Sequence, residues 1–365
     1  MVISSLGGGG AERVMVDLCR FLNDAGRDVT LLTLSGNDTD AYQVPPGVHR
    51  ERMEIRKEAH SLFDSLRFSL HHLRAMRGRI VSLRPDIVVS FVEQTNVRVI
   101  ACLLGTRIPV VVSERVHPGS HKIAQTWNWG RRLLYRRSVA VVVQTEAIAE
   151  WFSKSIRTSR LVVIPNAVRS SDSFPSLRSV EQTSLNGPYV LAVGRLVHQK
   201  GFDLLIEAFR RSELAQLGWK LVILGEGDQR PALIQQAKAA GIYHALQMPG
   251  HVDNVGPWLE KAEIFALSSR YEGFPNALIE AMQLGRAVVS FDCPSGPSDV
   301  IQHGQNGLLV PAEDVDALAS ALERLGHDHA LRLRLGSAAT GVNERFSQVE
   351  IYGRWLRLID DAVAG

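Results

Sequence analysis

Two α/β domains in tandem, each a doubly wound parallel sheet, are the fold this sequence predicts. Three observations carry that expectation. Short segments such as 87–91, 110–113, 189–193, 221–224 and 287–291 are apolar at successive positions, which suits strands covered on both faces. Segments of helical period separate them, so strand and helix alternate through both halves. The length, 365 residues, exceeds one usual domain and suits two.

Hydrophobic residues make up 45% and charged residues 22%, the balance of a soluble globular protein. No apolar run approaches the ~20 residues that span a bilayer. No leader segment is visible, because the chain opens almost directly on a strand. The three cysteines, Cys19, Cys102 and Cys293, lie scattered in apolar segments and form no disulfide or zinc framework, so a reducing cytoplasm is expected. Charge is uneven. Residues 1–180 hold 25 Lys and Arg against 16 Asp and Glu, while 181–365 hold 16 against 22. A basic first half suits an anionic partner, and both nucleic acid and acidic lipid fit that description.

Taken in order, 1–35 read strand, glycine loop, helix, strand. Val14, Leu18, Phe21 and Leu22 recur at helical spacing. The glycines at 7–10 let a ligand approach the backbone closely, but they match neither the dinucleotide fingerprint nor a Walker loop. Residues 36–58 form a loop leading to an edge strand. A long helix follows over 61–83, with Leu66, Leu70, Leu73, Met76, Ile80 and Leu83 as its apolar stripe. Arg67, His71 and Arg74 share one face with Arg77 nearby, either a solvated basic face or a row of cations for a diphosphate or lipid headgroups. The strand at 110–113 runs into Glu114, Arg115 and His117 at its carboxyl end, the edge where open α/β sheets bind ligands. Over 122–137, Trp127 and Trp129 interleave with arginines, a composition that suits a membrane interface or stacked single-stranded nucleic acid.

The first domain is assigned to 1–168, a linker to 169–188 and the second domain to 189–348. The final amphipathic helix, 349–365, is expected to pack back on the first domain. In the second domain, successive strand ends carry glycine turns with polar groups. Arg195 and Lys200 share one such loop and can neutralise a diphosphate, the Arg as a fork and the Lys as a point charge. At the next, Glu272-Gly-Phe-Pro-Asn-Ala-Leu-Ile-Glu280 places two carboxylates around a fresh helix start. Cations for phosphates and carboxylates for hydroxyls together describe a nucleotide-sugar site. No Asp-x-Asp triplet or His/Asp cluster suggests a metal.

The Glu272–Glu280 segment resembles the E-x7-E motif of retaining glycosyltransferases of the GT-B fold, family 4. Gly194-Arg195 with Lys200-Gly201, Gly225-Glu226-Gly227, Cys293-Pro-Ser-Gly-Pro297 and Asn306-Gly-Leu-Leu-Val-Pro311 match in the same order. The resemblance covers nearly the whole chain. It implies two Rossmann-like domains facing a cleft, the acceptor mainly on the first and the donor on the second. It implies that Arg195 and Lys200 hold the donor diphosphate, that Glu272 binds sugar hydroxyls and that Glu280 takes the nucleotide ribose. Gly8, Gly9 and Gly10 would close over the phosphates. Gly225, Gly227, Val252, Gly273, Phe274, Pro275 and Asn276 would complete the donor contacts. No metal or other cofactor is implied, and retention would proceed with the departing phosphate accepting the acceptor's proton.

Gly8-Gly9-Gly10-Ala11-Glu12-Arg13, Ser90-Phe91-Val92 with Thr95-Asn96, and Ser113-Glu114 resemble bacterial members that lengthen glycans on undecaprenyl diphosphate, those of the α-N-acetylgalactosaminyltransferase type. That resemblance implies a UDP-sugar donor, a polyprenyl-diphosphate-linked glycan acceptor, and a cytoplasmic enzyme lying on the inner membrane face through its basic first domain. Arg67, His71, Arg74 and Arg77 would then face the lipid diphosphate. Glu114 and either Arg115 or His117 would meet the sugars. Alternatives are a GDP-mannose-dependent or soluble-acceptor transferase and, in another class, a nucleic-acid-binding protein. The paired carboxylates argue against the last.

Overall fold

The computed structural model describes residues 1–35, 40–53, 62–121, 123–169 and 187–365, with side chains left out over 62–69. The chain divides into two compact units, Met1–Ala167 with Val349–Gly365, and Val168–Gln348. Most of the linker assigned to 169–188 lies outside the described residues.

The first unit runs β1 (Val2–Ile3), α1 (Gly10–Asp24), β2 (Thr30–Thr33), β3 (His49–Arg52), α2 (Leu62–Ser82), β4 (Val88–Phe91), α3 (Glu93–Leu103), β5 (Val110–Ser113), α4 (Gln125–Leu134), β6 (Ala140–Val143), α5 (Glu146–Ser155) and β7 (Leu161–Val163). All seven strands are parallel, in the order β3-β2-β1-β4-β5-β6-β7. Strands β4, β5 and β6 are buried at every position, which is why their sequences run apolar without alternation. Helix α4 falls where the sequence reading found only a run of Trp and Arg.

The second unit runs β8 (Tyr189–Val193), α6 (Phe202–Arg211), β9 (Lys220–Leu224), α7 (Arg230–Ala239), β10 (Leu246–Gly250), α8 (Gly256–Lys261), β11 (Ile264–Leu267), α9 (Asn276–Gln283), β12 (Ala287–Asp292), α10 (Pro297–Val300), β13 (Leu308–Pro311), α11 (Val315–His327), α12 (His329–Ala339) and α13 (Val342–Arg345). Its six strands are also parallel, in the order β10-β9-β8-β11-β12-β13. Caps set the later helix starts. Asp314 accepts from the Ala317 amide at 2.9 Å and Asp328 from the Leu331 amide at 2.8 Å.

The last helix, α14 (Gln348–Ala364), belongs almost wholly to the first unit. Its apolar stripe of Ile351, Tyr352, Trp355, Leu358 and Ile359 is buried there. Trp355 meets Phe91 at 5.5 Å and Tyr352 meets Phe21 at 5.6 Å.

Candidate active site

In each sheet one pair of neighbouring strands marks the point where the winding reverses. In the second unit the pair is β8 and β11, since β9 and β10 lie to one side and β12 and β13 to the other. Because every strand is parallel, the loops after β8 and β11 emerge side by side at the carboxyl edge. A crevice at such a switch point is where open α/β sheets take ligands. Lys200 stands on the first loop and Glu272 on the second.

The two side chains meet. Lys200 Nζ lies 2.6 Å from Glu272 Oε1, and Ser269 Oγ donates to the same oxygen at 2.6 Å. Glu272 is buried, and the lysine is only partly so. An ammonium has three N–H donors, so the bond to Glu272 leaves two for another acceptor. Gly194, without a side chain, lets the Lys200 stem lie along the end of β8: a Cβ there would sit 3.1–3.2 Å from the lysine Cε, Cδ and Cγ. Gly201 has φ 62° and carries no Cβ to strike the Ser268 carbonyl.

The loops are stapled together by groups the sequence reading missed. Ser268 Oγ donates to the Lys200 carbonyl at 3.0 Å, the Arg270 amide to the Gln199 carbonyl at 2.8 Å, and Gln199 Nε2 to the Tyr271 carbonyl at 3.0 Å. The Arg270 guanidinium forks onto Asp203 at 2.9 and 2.6 Å, reaches the His198 carbonyl at 2.8 Å, and meets Glu313 at 3.1 Å. Burial pushes the Asp203 carboxyl up, but hydrogen bonds and charge from Arg270 hold it below its ordinary range. Only spacing could have hinted at these roles, because Arg270 stands two residues before Glu272 and Asp203 three after Lys200.

Around the pair the remaining candidates take several positions. Arg195 is exposed on the β8 loop. Gly225 has φ 137° and meets the Gly194 carbonyl, while Gly227 meets Leu196, so neither tolerates a side chain. Val252 is half-buried after β10. The Gly273 carbonyl accepts from Ser295 Oγ at 3.1 Å, and Phe274 packs edge-on against Phe346 at 5.4 Å. Pro275 precedes α9, Asn276 begins it, and Glu280 is buried within it. Cys293 is also buried near Glu272, and burial with that negative charge pushes its thiol up to about 12. It is thus an inert thiol.

In the first unit the switch point lies between β1 and β4. The loop after β1 holds Gly8 at φ 95°, with Gly9 backed by the Glu12 carboxylate and Gly10 opening α1. Val92, after β4, has φ 75° and ψ 133°, a strained conformation for a β-branched residue.

Glu114 and Arg115, expected to meet a sugar, lie in buried polar networks. Glu114 is 1% exposed and faces inward, 3.0 Å from Arg131 Nε and bonded to the Tyr135 hydroxyl. Burial raises its carboxyl to about 7 against the opposing charge of Arg131. Asn96 extends the network, donating to Tyr135 at 3.1 Å and to the Ser113 carbonyl at 2.9 Å. Arg115 lies over the Phe91 ring at 4.3 Å and donates to Asn166 at 2.7 Å, and burial lowers it to about 10. Both residues build the floor of the edge because an apolar strand end has no water to offer them. His117 is half-buried beside Ser120 and Trp151, with its pKa lowered by burial. On α2, His71 and Arg74 are exposed, while Arg77 donates to the carbonyls of Cys102 and Leu104, both at 2.8 Å. Arg77 therefore closes the end of α3 through one guanidinium nitrogen. The Arg67 side chain lies outside the described residues. Among the described residues no three of His, Cys, Asp and Glu converge as metal ligands.

Two parallel α/β units in one chain, each with its loops gathered at a switch point, are the GT-B architecture of sugar-transferring enzymes. The comparisons agree with that class. A glycosyl transferase 4-like domain matches 9–167 and the glycosyl transferases group 1 family matches 173–342. The undecaprenol-diphosphate α-1,4-N-acetyl-D-galactosaminyltransferase of Campylobacter jejuni is 28% identical over 359 residues, 98% of this chain and 97% of the relative. Among solved structures, sucrose-phosphate synthase from Thermosynechococcus elongatus superposes with a TM-score of 0.85 at 19% identity, over 100% of this chain and 98% of the other. HepE of Anabaena, in complex with UDP-glucose, has a TM-score of 0.80 at 20% identity, covering 99% and 98%. The chain is a glycosyltransferase, with a glycosyl transferase 4-like domain over 9–167 and a group 1 glycosyl transferase domain over 173–342.

Proposed function

We propose that this glycosyltransferase moves a hexosyl or N-acetylhexosaminyl group from a UDP-sugar to a polyprenyl-diphosphate-linked oligosaccharide, with retention and without a metal. The Lys200–Glu272 contact at the second unit's switch point is the observation that carries it. Lys200, keeping one N–H on Glu272, turns its others to the donor diphosphate, and Arg195 adds a second cation from the same loop. Their charge offsets what develops on the leaving diphosphate as the glycosidic bond breaks. Glu272 accepts hydrogen bonds from sugar hydroxyls and Glu280 from the ribose. Gly8, Gly9 and Gly10 approach the phosphates, while Gly225, Gly227, Val252 and the segment Gly273, Phe274, Pro275 and Asn276 line the donor. His71, Arg74 and His117 are the acceptor-side candidates with accessible side chains.

Support for the substrates comes from the relatives. The Campylobacter enzyme's name specifies a diphospho-undecaprenol glycan, and the Anabaena protein was solved with UDP-glucose. No described helix is long and apolar enough to cross a membrane, and a place on the inner face of the membrane follows from a lipid-linked acceptor. The test is a thermal-shift screen of UDP- and GDP-sugars, because a bound donor raises apparent stability. It is followed by transfer assays with the best donor in the presence of a chelator. Lys200→Ala should lower transfer by about a hundredfold or more, the scale for losing one group that stabilises developing charge. Near-normal turnover of that variant, or a shift only with GDP-sugars, would overturn the proposal.

A further inference from the structure

Helix α4 presents its faces the wrong way round for a solvated helix. Inward it places Trp127, Arg131 and the following Tyr135, with Arg131 only 1% exposed and paired to Glu114. Outward it places Trp129, 68% exposed, and Leu133, 57% exposed, one turn apart on the same face. Arg132, Arg136 and Arg137 are exposed beside them. From Arg115 to Thr145 the chain contains no Asp or Glu. Of the neighbouring carboxylates, Glu114 before this stretch and Glu93 on α3 are buried, while Glu146 after it is exposed and begins α5. The outer face therefore offers cations and two large apolar groups with no acid among them.

We infer that this outer face of α4 docks on a bilayer surface containing anionic phospholipid. The indole of Trp129 has an apolar body and one N–H, which suits the headgroup boundary, and Leu133 supplies area to bury below it. The arginines meet the lipid phosphates, where each cation strengthens binding about fivefold. α3 lies alongside, with Arg98 over the inward Trp127 ring at 4.9 Å. This contact anchors α4 so that the apolar pair can face outward. Single-stranded nucleic acid would also accept Trp and Arg, but stacking platforms use several aromatics along a groove. Here one exposed Trp stands with an aliphatic partner, and that favours lipid. The inference rests on the lipid-linked acceptor proposed above only for the reason to visit a membrane.

The test is sedimentation of the full chain, without substrates, with vesicles of phosphatidylcholine alone and of phosphatidylcholine mixed with phosphatidylglycerol. Wild type should pellet with the mixed vesicles and be released by salt. Replacing Arg132, Arg136 and Arg137 with Gln should weaken binding about a hundredfold, and Trp129→Ser with Leu133→Ser about tenfold or more. Circular dichroism and melting should be unchanged, since all five side chains are exposed. Equal binding by wild type and variants, no preference for the anionic vesicles, or retention on a single-stranded oligonucleotide without vesicle binding would each overturn it. Donor-induced thermal shift is read in parallel. Lost vesicle binding with donor binding intact sinks this inference alone, and the converse sinks the transfer reading alone.

Discussion

A single backbone angle marks the first unit's switch point. Val92 sits at φ 75° and ψ 133°, its amide donating to the Ser113 carbonyl at 3.1 Å and its carbonyl accepting from the Asn96 amide at 2.9 Å. Those two bonds hold a β-branched residue where the Cβ crowds its own backbone, at a cost of about 1–3 kcal/mol. Glycine has no Cβ to crowd but loses about 0.5–1 kcal/mol of chain entropy. Val92→Gly should therefore stabilise the first unit by about 1 kcal/mol in a denaturant melt, while Val92→Ala, which keeps the Cβ, should not. A Gly variant no more stable than the Ala variant would show that the angle carries no strain. Strain of this kind is invisible in the sequence, where Val92 reads as one more apolar residue after a strand.

Pairing between elements was the least legible level. The strands could be read from runs such as Val110-Val111-Val112, because burial on both faces forces every position apolar. Lys200 and Glu272 could be named because each follows a strand end that the chain must bring to one edge. Arg270 and Asp203 could not, since nothing local announces a fork between residues 67 positions apart. Helix α4 was missed for a related reason: Trp127, Asn128, Trp129 and Gly130 are weak helix formers, and its buried arginine is paid for by Glu114 on another element. Arg270 positions the loops of Lys200 and Glu272. Arg270→Lys keeps the charge and loses the fork, so kcat should fall about tenfold or more with donor KM less affected. Equal loss in both would indicate a general loosening. Asp203 adds an acid signature. Its carboxyl is depressed below the ordinary 3.8, so the folded form binds fewer protons there than the unfolded chain. Its stabilising contribution is present above about pH 4 and is lost as pH falls through the depressed value. Asp203→Asn should flatten that part of an acid-unfolding curve, and an unchanged curve would mean the fork contributes nothing to stability.

The chain closes its first unit with residues from its far end. α14 brings Tyr352 and Trp355, both about 1% exposed, to Phe21 and Phe91. Phe91 in turn carries Arg115 on its ring. The helix is therefore part of the floor beneath the carboxyl edge as well as of the core. The ion pairs of Arg27 with Asp360 and Arg160 with Asp361 are exposed, and contribute about 1 kcal/mol at most. The aromatic burial decides the helix's hold. Each unit has its own apolar core, so damage to one should stay local. Trp355→Ala removes a buried indole at a cost of about 3–5 kcal/mol. In native-state hydrogen exchange, protection should then fall in β4, β5 and α1 while β8, β9 and β11 keep theirs. The donor-induced thermal shift should survive, because Arg195 and Lys200, the cations proposed to hold the diphosphate, belong to the second unit. Loss of protection in both sheets together would mean that the two units unfold as one and that α14 is the element joining them.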